Sequence, residues 1–361
     1  MKLVMTLLAR DEADVVDAHV AFHLNAGVDF VVATDNGSED GTTETLERYE
    51  RAGHLHLIRE PGDDMRQSEW VTRMARLAVT EFGADWVINS DADEFWWPRS
   101  GSLKDVLAAV PDRFGVVRGA WRHFLPRPGD DVPFFERMTV RLRVPAFPGD
   151  KATIYHAHQK VAHRRSADVV VAAGNHDAET GGRLAALRGW YPLEVLHFSF
   201  RSRAQVEQKV AWAFVAWERN PNVGASLHQK LAYDAYRSGT LDEYYNAFLV
   251  DDSALQDGLR DGRLAVDTRL RDALRAVRAP DGSFRVPAPG KEGLLGFPAT
   301  AAGDDAAFLE EISPLLEIDG LVRVERRVDA LERRLEELER APLGRLGRLL
   351  AARRGTGVRA S

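Results

Sequence analysis

Asp91 and Asp93 stand where the apolar run Trp86-Val87-Ile88 gives way to Asp91-Ala92-Asp93-Glu94. Side chains alternate along extended chain, so residues i and i+2 leave on the same side and place two carboxylates together. Such a pair repels itself unless a cation lies beside it, and hard oxygen ligands suit Mg²⁺ or Mn²⁺. An ion held this way keeps open positions for a substrate's phosphates. A solvated acidic turn produces the same tripeptide, so D-x-D alone leaves both readings open. A second acidic turn, Asp35-Asn36-Gly37-Ser38-Glu39-Asp40-Gly41-Thr42, follows another apolar run. Asn36-Gly37 makes a tight turn, and Asp40 or Thr42 caps the helix behind it. Asp35 is left over from that capping chemistry; an acid at a strand's end can accept hydrogen bonds from a base or a ribose.

Positioning these acids requires strands that end at them. Apolar runs at 3–8, 29–33, 55–58 and 86–88 alternate with helix-period segments at 13–26, 42–53 and 67–82. This β-α order predicts a parallel sheet covered by helices, with ligands beyond the carboxyl ends of its strands. Both acidic turns fall at such ends. Further on, a short helix (103–110) precedes an apolar run at 115–121 and a Pro-rich loop at 126–133. Strand-like pieces follow at 139–144, 153–158, 169–172 and 195–200, then helical stretches at 204–217, 207–248 and 251–278. Residues 279–305, rich in Pro and Gly, read as a linker or an extended cover.

The chain has 361 residues, 45% hydrophobic and 29% charged, with no cysteine. Disulfides, thiolate nucleophiles and thiolate-zinc sites are excluded, which leaves carboxylates, imidazoles and cations to carry chemistry. A formal charge of −7 argues against general nucleic-acid binding. No apolar run reaches the ~18 residues of a membrane span. The N-terminal run reads as a first strand, not a leader.

Ala9-Arg10-Asp11-Glu12, Gly27-Val28-Asp29, the turn from Asp35 to Thr42, and Asp85-Trp86-Val87 with Asp91-Ala92-Asp93-Glu94-Phe95 come in an order that resembles family-2 glycosyltransferases of the GT-A fold. The subgroup it is similar to reads D-N-x-S-x-D-G-T and D-A-D-E-F. The resemblance is dense over residues 1–97 and thinner to about 210. It implies a Rossmann-like mixed sheet flanked by helices and an inverting, metal-dependent transfer from a nucleotide-diphosphate sugar to a glycan or glycoconjugate acceptor. Bacterial surface polysaccharide synthesis is the implied setting, in the cytoplasm or at the inner membrane face. By the same resemblance Asp35 contacts the nucleobase, and Asp91 and Asp93 bind the ribose and the Mn²⁺ or Mg²⁺. Arg10 and Glu12 line the nucleotide pocket, and Arg66 reaches the nucleotide or only begins a helix. For Glu12 the alternative is an acid complementing a helix N-terminus.

A departing nucleoside diphosphate needs cations. Lys160, Arg164 and Arg165 follow His156-Ala157-His158, and Arg201 and Lys209 follow His197. His197, at a strand end before a helix, resembles the late metal-contacting histidine of this fold. His156 and His158 read either as site residues or as packing on one strand face; His176 sits in a turn. An inverting transfer also needs a carboxylate to take the acceptor's proton. Glu136, Asp177 and Glu179 are the candidates, with a Glu136–Arg137 or Glu136–Arg141 ion pair as the structural alternative.

The expected organisation is 1–215 catalytic, 216–278 helical extension, 279–312 linker or cover, 313–341 amphipathic helix and 342–361 basic tail. Leu321, Val324, Val328, Leu331, Leu335 and Leu338 form a heptad seam, with Arg327 and Arg334 placed to meet Glu332 and Glu339 of a second copy. The alternative is a helix lying on its own domain. The tail holds five Arg and no acid, with Leu343, Leu346, Leu349 and Leu350 at helical spacing, which suits either an anionic membrane surface or a simple terminus. Two rivals stand beside the transferase: a nucleotidyltransferase, which wants a Gly-rich basic loop where Ala9-Arg10-Asp11-Glu12 stands, and a non-catalytic scaffold that keeps the fold.

Overall fold

A computed structural model describes residues 1–62, 66–129, 131–146, 153–181, 185–219, 227–298 and 302–340. The chain divides into two units, Met1–Leu315 and Leu316–Ser361. In chain order the strands are β1 (Leu3–Ala9), β2 (Phe30–Asp35), β3 (Leu55–Arg59), β4 (Trp86–Asp91), β5 (Glu94–Pro98), β6 (Phe114–His123), β7 (Val140–Leu142), β8 (Gln159–Arg164), β9 (Val170–Val171), β10 (Ala178–Glu179), β11 (Ala185–Ala186), β12 (Leu193–His197) and β13 (Leu264–Val266).

The main sheet runs β3-β2-β1-β4-β8-β6-β12-β5, with β11 added on β6. β1 is parallel to β2 and β4, and β2 to β3. β8 is antiparallel to both β4 and β6, while β12 is parallel to β6 and antiparallel to β5. The parallel half and the helices around it are the GT-A-type arrangement the sequence leads one to expect. β1 is apolar at nearly every position because both its faces are covered. Leu3, Met5 and Leu7 join a core with Val16, Val20 and Phe22 of the Val16–Asn25 helix. Val4, on the alternate face, packs with Val71, Met74 and Ala78 of the Gln67–Thr80 helix.

One sequence expectation needs correction. Residues 153–158 are not a strand: the Thr153 hydroxyl accepts from the Tyr155 N–H (3.1 Å), and His156 Nδ1 donates to the Thr153 carbonyl (2.9 Å). These local bonds make a turn, and the strand begins at Gln159. The Pro- and Gly-rich stretch after 278 is a cover. Leu295 N–H donates to the Asn25 carbonyl at 3.1 Å, and Phe297 packs edge-on to Trp97 at 4.9 Å. Gly293 lies so close to Asn25 that a Cβ there would sit 2.0 Å from its carbonyl oxygen.

The expected helical stretches resolve into Arg203–Arg219, Leu227–Ser238, Leu241–Asn246, Asp252–Arg260 and Arg269–Val277, and Ala302–Glu311 follows the cover. In the second unit the Ser313–Arg340 helix continues from Leu316, with Leu321, Val324, Val328 and Leu331 exposed along it. The side chains of Leu335 and Leu338 and the whole basic tail lie outside the described residues. No described helix is long and apolar enough to cross a membrane.

Candidate active site

Register puts the acids in place. Leu8 of β1 pairs with Asp91 of β4, and Ala9 pairs with Asp35 of β2, so three strand ends share one rim. The loop leaving β1 bends sharply at Asp11, whose φ of 52° is left-handed. A non-glycine residue there costs on the order of 1–3 kcal/mol, and the acidic turn supplies the compensation. Asp11 N–H donates to Ser38 Oγ (2.9 Å), Glu12 N–H to Thr42 Oγ1 (2.8 Å) and Ala13 N–H to Asp40 Oδ2 (2.9 Å), while Glu39 N–H donates to Asp11 Oδ1 (2.8 Å). The 35–42 motif is therefore the clamp that presents Arg10 and Glu12.

Those residues open on a cavity of about 620 Å³, whose lining includes Arg10, Glu12, Asp91, Asp93, Glu94 and Trp121. Farther round it are His156, His158, Lys160, His176, His197 and Lys209. Asp91 and Asp93 both reach it but do not stand as a simple pair, because the chain turns between β4 and β5. Asp91 accepts from Lys160 Nζ at 2.5 Å and Asn175 Nδ2 at 3.0 Å. Asp93 accepts from Lys209 Nζ at 3.1 Å and lies 3.9 Å from His197 Nε2. Burial alone would push the Asp93 carboxyl up, yet Lys209, His197 and Arg201 together hold it well below the usual carboxylate range. Glu94 sits between the two systems, with Lys160 Nζ at 2.8 Å and the Trp121 indole N–H donating at 2.9 Å. Burial pushes the Glu94 carboxyl up to about 8, even with the Lys160 ammonium opposing it.

Asp93, Glu94 and His197 form a group whose ligand atoms lie within 4.8 Å of one another. Two carboxylates and an imidazole fit Mn²⁺ or Mg²⁺. Asp91 belongs to a neighbouring cluster with Lys160, so the third member of this group is Glu94.

Several residues marked in the sequence stand elsewhere. Asp35 is buried, and its oxygens accept from Ser38 Oγ at 2.5 Å and Thr43 Oγ1 at 2.7 Å; it braces the turn and does not line the cavity. Arg201 is fully buried, with Asp14 at 2.7 Å and Glu12 and Asp93 around it, so it neutralises acids beneath the site and is not open to a donor. Arg66 lines a separate depression with Glu60 and Arg73. Glu136 is held by Arg275 at 2.9 and 3.0 Å, and Asp177 faces Arg118 at 3.6 Å and Arg188 at 4.0 Å. Neither lines the cavity, and Glu179 is exposed on β10. Arg10, Glu12, Lys160 and His197 do line it. Arg10 also lies over the Trp212 ring at 4.5 Å, and Glu12 is held by Arg201 and by Lys209 at 3.3 Å.

Trp121, His123 and Asn175 carry no motif and were legible only through the fold. Trp121 is a hub: His197 stacks on it at 4.4 Å, and His123, His158 and His176 approach its edge or face at 5.3–5.5 Å. Aromatic and apolar residues at the end of the run 115–121 were its one sequence signal.

A mixed sheet with an acid-lined cavity at its strand ends fits a sugar-nucleotide transferase, and the comparisons bear on that class. Residues 8–113 match the model of glycosyltransferase family 92. That segment reaches from the end of β1 through Glu94 to the start of β6, so the chain carries a glycosyltransferase domain. The matched family is 92; the family-2 subgroup is not the one it names. No curated protein matches the chain. Among solved structures it is similar to S. aureus TarS (TM-score 0.31, 11% identity, 68% of this chain and 44% of that one). It is also similar to TarS 1–349 in complex with UDP-GlcNAc (TM-score 0.32, 12% identity, 83% and 100%). A third is glucosyl-3-phosphoglycerate synthase from Mycobacterium tuberculosis in complex with Mn²⁺, UDP-glucose and phosphoglyceric acid (TM-score 0.23, 16% identity, 34% and 44%). The match spans 44% of the length of the first of these structures.

Proposed function

We propose that the chain moves a glycosyl group, with inversion, from a nucleotide-diphosphate sugar to a glycan or glycoconjugate acceptor. A divalent ion, Mn²⁺ or Mg²⁺, would be held by Asp93, Glu94 and His197 and would supply charge stabilisation to the leaving diphosphate. The observation that carries this reading is the convergence of those three donors at one end of the cavity. Asp91 faces the same space and suits the donor's ribose hydroxyls. Arg10 with Trp212 offers a cationic and aromatic wall for the nucleotide. Lys209, 3.1 Å from Asp93 at the cavity, is placed to reach the phosphates. Surface polysaccharide synthesis in the cytoplasm is the setting that the family resemblance implies. Pairing through the exposed 321–331 seam and contact of the 342–361 tail with an anionic membrane belong to the same proposal. The loop after β1 is tied to an acidic turn and lacks the Gly-rich cradle a nucleotidyltransferase would use.

A thermal-shift panel of nucleotide-diphosphate sugars, with Mn²⁺ and with EDTA, tests the reading. One donor class should raise Tm in Mn²⁺ and lose that effect in EDTA. An equal shift in EDTA removes the metal, and no shift with any donor removes the substrate class.

A further inference from the structure

We infer that His123 is a positioning residue: it fixes the tautomer of His197 so that Nε2 of His197 presents a lone pair to the ion site. This rests on the metal reading above. β12 lies between β6 and β5, and its register sets His197 beside His123 on one side and Glu94 on the other. The three residues form one row across the sheet end.

Proton bookkeeping then runs along the row. The His156 carbonyl can only accept, and it lies 2.8 Å from His123 Nε2, so that nitrogen carries the proton. Both imidazoles are buried, where a charged ring is costly, so each carries one N–H. His123 Nδ1 is therefore an acceptor. His197 Nδ1 lies 3.2 Å from it and must donate. That leaves His197 Nε2 bare, on the side of Asp93 Oδ1 at 3.9 Å. Trp121 fixes the plane of the same ring, stacking at 4.4 Å and 18° while its N–H holds Glu94. A ligating histidine whose other nitrogen is held this way is oriented before the ion arrives, and losing such a partner costs about 10–100-fold in metal affinity.

Nitrogen-15 NMR of the metal-free, histidine-labelled protein reads the tautomers directly, with signals assigned by His123→Gln and His197→Gln. His197 should be protonated at Nδ1 and His123 at Nε2; the opposite pattern at His197 overturns the inference. Mn²⁺ affinity, measured by EPR of the free ion, gives the second arm. His123→Leu should weaken binding about 10–100-fold, while His123→Gln, whose side-chain oxygen can accept from Nδ1–H, should bind near the wild-type level. Equal losses in both variants, or none in either, overturn the positioning role. Wild-type protein that binds no Mn²⁺ overturns the metal reading itself, and with it this role, even where NMR shows the expected protons.

Discussion

Asp35 illustrates how a residue can be visible in sequence while the bonds its neighbours make to it are not. Its place at the end of β2 is legible from the run before it, but Ser38 and Thr43, which fill its oxygens, read as ordinary turn residues. Asp35→Ala should leave the half-buried Ser38 and Thr43 hydroxyls without their acceptor and cost about 1 kcal/mol in urea unfolding, with KM for the donor unchanged. A large rise in KM at intact stability would return Asp35 to the nucleobase. Asp91, Asp93 and His197 stood out in sequence only through their place in an ordered set of motifs, since a solvated acidic turn gives the same D-x-D. The grouping of Glu94 with Asp93 and His197 was not legible, because it depends on β5 pairing with β12.

At the scale of elements, β6 divides its labour by alternation. Trp121 and His123 face the site, while Arg122 between them is buried on the other side, 3.2 Å from Glu194 and bonded to Glu311. Arg141 and Arg143 also reach Glu311, at 3.1 and 3.2 Å. The Ala302–Glu311 helix thus closes the face behind the site. Glu311→Ala should cost about 2–3 kcal/mol, because it takes one acid from the buried Arg122 and Arg141 while Glu194 and Asp267 remain. Arg143→Ala should cost less than about 1 kcal/mol, since that side chain is 42% exposed. Equal effects in calorimetry would contradict the assignment of the charge to the interior. β1 to β4 were legible as apolar runs between helices. β8 was not, because Lys160 and His163 are buried polar residues that break its apolar pattern.

For the whole molecule, histidines held neutral by burial, His54 among them, set an acid limit. Burial lowers His23 and His163 to about 4 and His123 and His158 to about 3, against 6.5 in the unfolded chain, and pushes His19, His176 and His197 down as well. Between those values the unfolded state binds more protons, so stability rises with pH, at about 1.4 kcal/mol per pKa unit for each group. Glu94, pushed up to about 8, works in the opposite direction but is one group against several, so Tm should still fall steeply from pH 6.5 to 4; a flat profile over that window would contradict it. The second unit carries its own prediction. If the exposed seam pairs two copies, Val324→Asp with Leu331→Asp in the full chain should lower the mass seen by light scattering, whereas a wild-type monomer rules the pairing out. The seam was legible as a heptad, but a spacing of apolar residues does not say what covers it.

The most direct measurement is release of free nucleotide from the donor identified in the thermal-shift panel, comparing wild type with Asp93→Asn in Mn²⁺ and in EDTA. The account predicts turnover for wild type in Mn²⁺ alone, and loss of about a hundredfold or more for a folded Asp93→Asn, as for removal of one electrostatic stabiliser of the leaving charge. Undiminished turnover in EDTA, or in the variant, would contradict it.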